Sequence, residues 1–181
     1  TEKMIEKVIN RRNMQRASKQ VLANKGSAGV DGMSVKQLSA YLRNNRDAIA
    51  TSIVNGKYLA QPILGVAIPK SNGKTRLLGV PTVTDRVLQQ AVSQVIMLRF
   101  EEEFKQHSYG FRPNRNAQQA VQQAQKNINE GYQHIVDIDL KNFFDEVDHC
   151  ILLQLLHGKV KCPVTLRLIR KWLRAPIQIN G

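Results

Sequence analysis

The chain has 181 residues, 42% of them hydrophobic and 23% charged, and its 27 Lys and Arg against 14 Asp and Glu give a net charge of +13. That length supports one medium domain or two small ones with a real core, and the charge points to a polyanion, nucleic acid before an anionic membrane surface. No apolar run approaches the ~18–20 residues that span a bilayer, "TEKMIEKVIN" is not a signal peptide, and Cys150 and Cys162 make neither a disulfide framework nor a zinc site, so reduced thiols in the cytosol are expected.

The charge is unevenly placed. Residues 1–100 hold 16 Lys and Arg against 5 acids, residues 101–150 hold 5 against 9, and residues 151–181 hold 6 against none. In chain order, 2–23 has helical composition, with Met4, Ile5, Val8, Val21 and Leu22 as apolar anchors. "NKGSAGVDGMS" (24–34) is a turn-rich loop, and Ser34 is a plausible N-cap for a helix over 35–49. "PILGVAIPKSNGKTRLLGVP" (62–81) predicts a hairpin, with strands Ile63–Ile68 and Thr75–Val80 around the turn "KSNGK". A long helix follows over 82–104, its buried face supplied by Val87, Leu88, Ala91, Val95, Met97 and Leu98. "SYGFRPNRN" (108–116) is a loop, 117–130 a helix stopped at Gly131, and "HIVDIDL" (134–140) a short strand. "DHCILLQLL" and "PVTLRLIRKWL" are two more helices. The pattern is that of a mixed α+β protein.

Chemistry gathers in three places. In a strand over 134–140, Asp137 and Asp139 share a face. Two adjacent carboxylates repel unless cations hold them, and Mg²⁺ takes one or two carboxylates plus substrate phosphates. A two-metal phosphoryl-transfer site has this need. The alternative is an exposed edge strand, with Asp145 and Asp148 serving the start of the next helix. In the hairpin, Lys70, Lys74 and Arg76 flank the turn, either to grip phosphates or merely to solubilise it. Asp85 favours the positive end of its helix, and Arg86 is placed to reach backbone or phosphate. In "SYGFRPNRN", aromatics beside Arg112 and Arg115 suit base stacking and phosphate contact, or equally a packed loop.

Each signal is weak alone, but their order is specific. "AGVDGMSV", "IPKSNGKTRLLGVPTVTDRVLQQAV", "SYGFRPNRN" and "VDIDLKNFFDEVDH" together resemble the N-terminal half of the group II intron-encoded reverse transcriptases, or maturases, over nearly the whole chain. The resemblance implies right-hand polymerase fingers and the first part of the palm. Residues 1–81 would be fingers with a basic N-terminal extension, 82–133 fingers and palm helices, and 134–181 a partial palm beginning with the first catalytic strand.

The resemblance also assigns roles. Asp139 would be the catalytic carboxylate, holding Mg²⁺ with the backbone carbonyl of Leu140. Phe144, five positions later, would be the aromatic that crowds a ribose 2′ position; Asn142, five after Asp137, is not aromatic, so Asp137 becomes a supporting acid. Lys70 and Arg76 would hold the incoming triphosphate, Leu78 would pack on the templating base, and Arg112 would be structural. Lys19 and Lys25 are RNA-binding candidates in the extension. Implied partners are RNA template and intron RNA, DNA primer and deoxynucleoside triphosphates, without a membrane; a homodimer through the fingers is compatible. The compartment implied is cytoplasmic, bacterial or organellar. The family's Tyr-Ala-Asp-Asp box and "PQGG"-type segment do not occur in these 181 residues. The chain is therefore expected to be a fragment lacking the rest of the palm and the thumb, and inactive alone. Two rival readings are a non-catalytic RNA-binding fingers module and a retron or diversity-generating reverse transcriptase.

Overall fold

A single asparagine divides the first predicted helix. In the computed structural model, which describes residues 4–71 and 73–179, the chain forms α1 (Met4–Ile9) and α2 (Arg11–Ala23). Asn10 leaves helical geometry, with φ −53° and ψ 139°, and its side chain accepts the Arg12 N–H at 2.9 Å. This is N-cap behaviour, with asparagine competing for backbone donors. Asn13 then donates its amide to the carbonyls of Val8 (2.8 Å) and Ala91 (3.0 Å) and accepts from Gln94 (2.8 Å). One polar side chain thus fastens α1 and α2 to α4 (Val83–Phe100).

The described residues fall into two compact units, one drawn from Thr1–Ile96 with Asp148–Gly181, the other from Met97–Val147. In the first, Ser34 opens a 3₁₀ turn, Val35–Gln37, and Gln37 Oε1 accepts the Ser34 N–H at 2.8 Å. The helix α3 follows over Leu38–Val54, five residues beyond its expected end. The hairpin pairs β1 (Ile63–Pro69) with β2 (Thr75–Val80), antiparallel. Asn72 of the predicted turn lies outside the described residues. A third strand, β3 (Ile177–Ile179), which sequence reading did not anticipate, runs parallel to the other edge of β1, so the order is β2-β1-β3. Gly65 makes that sheet possible: a Cβ there would lie 2.9 Å from the Ile177 side chain. No described helix is long and apolar enough to cross a membrane.

The core of this unit gathers Val8, Ala17, Leu38, Val83, Val87, Leu88 and Ala91, all at 1% exposure or less. α6 (His149–Val160) and α7 (Pro163–Leu173) close it through Val160, Thr165 and Leu168. Leu98, expected on the buried face of α4, is 72% exposed. It lies in the last turn of α4, past Ile96, where the chain has left the first unit.

The second unit continues from α4 through a 3₁₀ turn, Glu101–Glu103, into α5 (Ala117–Asn129). An Asn116–Gln119 capping box begins α5 and Gly131, at φ +100°, follows its end. The expected strand over 134–140 is not formed: no described segment pairs with these residues. A strand owes its hydrogen bonds to a neighbour. High β-propensity in "HIVDIDL" therefore leaves an unpaired segment with Ile135, Val136 and Ile138 at 81–82% exposure.

Candidate functional site

Register brings the hairpin's predicted residues together. Leu78 pairs with Val66, Arg76 with Ile68, and Lys70 donates its N–H to the Lys74 carbonyl at 2.6 Å. Directly opposed residues share a face, and so do alternate ones. Arg76 and Leu78 therefore project from one side of the hairpin, with Lys70 at its tip just past β1, and all three are solvent-exposed. Two cations next to an exposed leucine make a surface that can take phosphates at the tip and an apolar base plane behind it. The turn itself uses Gly73 at φ +75°.

The hairpin is rooted on Asp85. It stands in the first turn of α4, as expected, and it is also buried, at 1% exposure. Its carboxylate accepts from the Tyr58 hydroxyl (2.7 Å), the Trp172 indole N–H (2.8 Å), the Thr82 hydroxyl (3.0 Å) and the Gln61 backbone N–H (3.1 Å). Burial, and then the Asp85 charge, push the Tyr58 phenol far above its ordinary range, so it is a fixed donor. Lys171 Nζ closes the cluster by donating to the carbonyls of Gly56 (2.7 Å) and Tyr58 (2.5 Å). The signal was available: Asp85, Leu88 and Val92 are spaced i, i+3, i+7, so the acid sits on the helix's apolar stripe.

The next residue, Arg86, donates to the carbonyl of Ser27 in the loop over 24–34. Burial lowers its guanidinium below the ordinary arginine range, and Asp31 opposes that shift. Gly29 lies against α4's start, where a Cβ would meet Thr82 Cα at 2.7 Å. The "GVDG" stretch is thus a glycine-dependent docking of loop on helix. Lys19 is exposed on α2 with Arg12 and Arg16 at helical spacing, and Lys25 is exposed at φ 49° just past the helix.

In the second unit, Arg112 is held on every side. Its Nη2 and Nε reach Glu101 Oε1 at 2.7 and 3.1 Å, Nη1 reaches the carbonyls of Lys105 (2.8 Å) and Ser108 (2.9 Å), and the guanidinium lies 5.2 Å from the Phe104 ring centre. Arg115 binds the Gln106 carbonyl and covers Tyr109. Replacing Arg112 by Ala is expected to remove about 2 kcal/mol from this loop, since it orphans a half-buried carboxylate and two carbonyls. Faster proteolysis within 104–116 is the measurement; unchanged cleavage would mean the fork holds nothing.

Asp137, Asp139 and Leu140 lie on the unpaired segment, all exposed, with Phe144 at 85% exposure just beyond, its ring 5.3 Å from that of Phe143. Asp148 caps α6, accepting from the N–H groups of Cys150 and Ile151. Among the described residues no three His, Cys, Asp or Glu side chains cluster to hold a metal. The Asp139 carboxylate and Leu140 carbonyl are hard oxygen donors that fit part of a divalent-cation shell, the remainder being of the kind phosphates and water supply.

Residues 68–181 match the family described as reverse transcriptase (RNA-dependent DNA polymerase), and the chain belongs to that family. Within it, the chain is similar to the group II intron-encoded protein LtrA of Lactococcus lactis subsp. cremoris, 32% identical over 160 residues that cover 88% of this chain and 26% of LtrA. It is also similar to Protein YkfC of Escherichia coli strain K12, 30% identical over 165 residues covering 88% of this chain and 43% of YkfC. Its fold recurs in a chain of a solved "Partial Cas6-RT-Cas1--Cas2 complex", with TM-score 0.60 and 23% identity over 99% of this chain and 29% of that one. The chain thus spans 26% to 43% of the length of these two curated relatives.

Proposed function

We propose that this chain supplies the nucleotide-gripping fingers and the first catalytic carboxylate of an RNA-directed DNA polymerase of the group II intron class, which also assists splicing of its intron RNA. The observation that carries the reading is the hairpin that sets Arg76 and Leu78 on one face with Lys70 at its tip. In this proposal the fingers with their basic extension occupy 1–81, fingers and palm helices 82–133, and the partial palm 134–181. RNA template, intron RNA, a DNA primer and deoxynucleoside triphosphates are the partners, and a homodimer is compatible.

The chemistry follows from placement. Arg76 offers a planar fork and Lys70 a point charge to the β- and γ-phosphates of the incoming nucleotide. Leu78 packs on the templating base and Phe144 crowds the sugar's 2′ position. The primer 3′-hydroxyl then attacks the α-phosphorus and pyrophosphate leaves in line, with positioning and charge stabilisation lowering the barrier. Asp139 and the Leu140 carbonyl would hold Mg²⁺, which stabilises charge on the transferring phosphoryl group; Asp137 supports this acid.

Hydrogen bonds to charged groups contribute about 1.5–3 kcal/mol, or roughly 10–100-fold in affinity. In a full-length protein carrying this chain, Lys70→Ala and Arg76→Ala should each raise the deoxynucleotide KM by about that factor, with a smaller change in kcat. Primer extension on an RNA template at varied nucleotide concentration measures it. An unchanged KM with weakened template binding would remove the triphosphate role.

A further inference from the structure

The C-terminal part of the first unit carries a second cationic feature, separate in sequence from the hairpin. Arg167 and Arg170 of α7 and Arg174, its C-cap residue, are spaced i, i+3, i+7, so they line up along one side of the helix. All three are exposed, and among the described residues none of their side chains makes an ion pair or hydrogen bond, although the Arg167 guanidinium lies over Gly56. Lys171, on the same face, is instead tied to the Gly56 and Tyr58 carbonyls and so anchors α7 to the chain leading into β1. Residues 151–181 contain no Asp or Glu at all.

Two surface grooves meet on this helix. One is walled by Leu153, Gln154 and His157 of α6, the other by Leu59, Ala60 and Pro176, and both include Arg167 and Arg170. Together they form a path across α7 whose floor is apolar and whose ridge is cationic. The three arginines span about 10 Å along the helix axis, the rise of about three nucleotides of a duplex strand. A compact triphosphate would leave such a row largely unused; a linear polyanion matches it. Gln154 and His157 add hydrogen-bonding side chains beside the arginines, suited to a ribose 2′-hydroxyl.

We infer that the Arg167–Arg170–Arg174 face of α7, with the grooves on either side, binds the sugar–phosphate backbone of structured RNA without reading its sequence. This surface is additional to the nucleotide-gripping hairpin, and it rests on the family reading only in taking RNA as the polyanion.

The test is fluorescence anisotropy of this chain with a labelled RNA stem-loop, titrated between ~50 and ~200 mM salt. Each phosphate contact contributes about 0.9 to the slope of log affinity against log salt. Changing all three arginines to Gln should therefore lower the slope by about 2–3 and weaken binding roughly 10–100-fold at the lower salt. The three Arg→Lys replacements should keep the slope, which guards against a folding artefact. Removing the same charge elsewhere, with Lys36→Gln, Arg43→Gln and Lys105→Gln, should cost less than about threefold. An equal loss in that control would show bulk attraction only and overturn the inference. So would equal affinity for the DNA stem-loop of the same sequence, or displacement of the RNA by polyglutamate at matched charge, which would mark the face as a site for acidic protein. Failure of the hairpin proposal would appear in nucleotide KM, and failure of this one in the salt slope.

Discussion

Replacing Asp139 by Asn in a full-length protein carrying this chain is expected to lower DNA synthesis by about 10³-fold or more, equivalent to about 4 kcal/mol of transition-state stabilisation. The expectation is unusually clean because the side chain contributes nothing visible to folding. It is exposed, lies on a segment without ladder bonds, and makes no hydrogen bond among the described residues. Exchanges at such positions usually stay within about 0.5 kcal/mol of stability. Lost activity with an unchanged unfolding midpoint would therefore report chemistry. Asp137→Asn is the matched comparison, since both acids are exposed on the same segment, and it should reduce synthesis by less than about tenfold. Primer extension with saturating nucleotide separates them. If Asp137→Asn proved the more damaging, the catalytic assignment would move two residues back. If Asp139→Asn abolished synthesis but left RNA binding and intron splicing intact, the polymerase and splicing roles would be separable. Loss of both together would mean that the carboxylate supports structure after all.

The contrast between this segment and Asp85 shows what could be read in the sequence and what could not. The hairpin was legible because both its signals are local: β-branched and aliphatic residues on each side of a Lys-Ser-Asn-Gly-Lys turn, with alternation fixing which residues share a face. The long helices were legible from their apolar period, apart from the break at Asn10, where a capping side chain outcompeted helix continuation. The strand over 134–140 has equally good local credentials, yet its hydrogen bonds depend on a neighbour that no local pattern supplies. β3 failed in the opposite sense. Ile-Gln-Ile is too short to announce itself, and it exists because Gly65 leaves room for Ile177 and because the Pro176 carbonyl accepts the Ile63 N–H at 2.8 Å. Asp85 does stand at a helix start, where a carboxylate has a ready local explanation, but its burial is not a local property. Its four donors come from positions 58, 61, 82 and 172, and only tertiary structure assembles them.

That assembly predicts the largest stability effect in the chain. Asp85→Ala should destabilise the first unit by about 3–5 kcal/mol, because it strands the buried Thr82 hydroxyl and the half-buried Tyr58 and Trp172 donors together with one backbone N–H. Asp85→Asn should lose roughly 2–3 kcal/mol: one amide oxygen remains to accept, while the amide nitrogen faces donors. Tyr58→Phe, which removes a single donor, should cost about 1 kcal/mol. The chain's single tryptophan, Trp172, bonds directly to Asp85, so indole fluorescence during urea unfolding reads this cluster with no added label. The pH dependence has a definite sign. Tyr58 holds its proton in the folded state far above its ordinary pKa of 10.0. The unfolded chain releases that proton first, so stability present at neutral pH should fall as pH rises beyond about 10. Tyr58→Phe should flatten that fall. If Asp85→Ala left the urea midpoint in place, the four hydrogen bonds would be incidental to the fold. In that case the hairpin root, and with it the placing of Lys70 and Arg76, would depend on the Lys171 contacts to Gly56 and Tyr58 and on the pairing of β1 with β3.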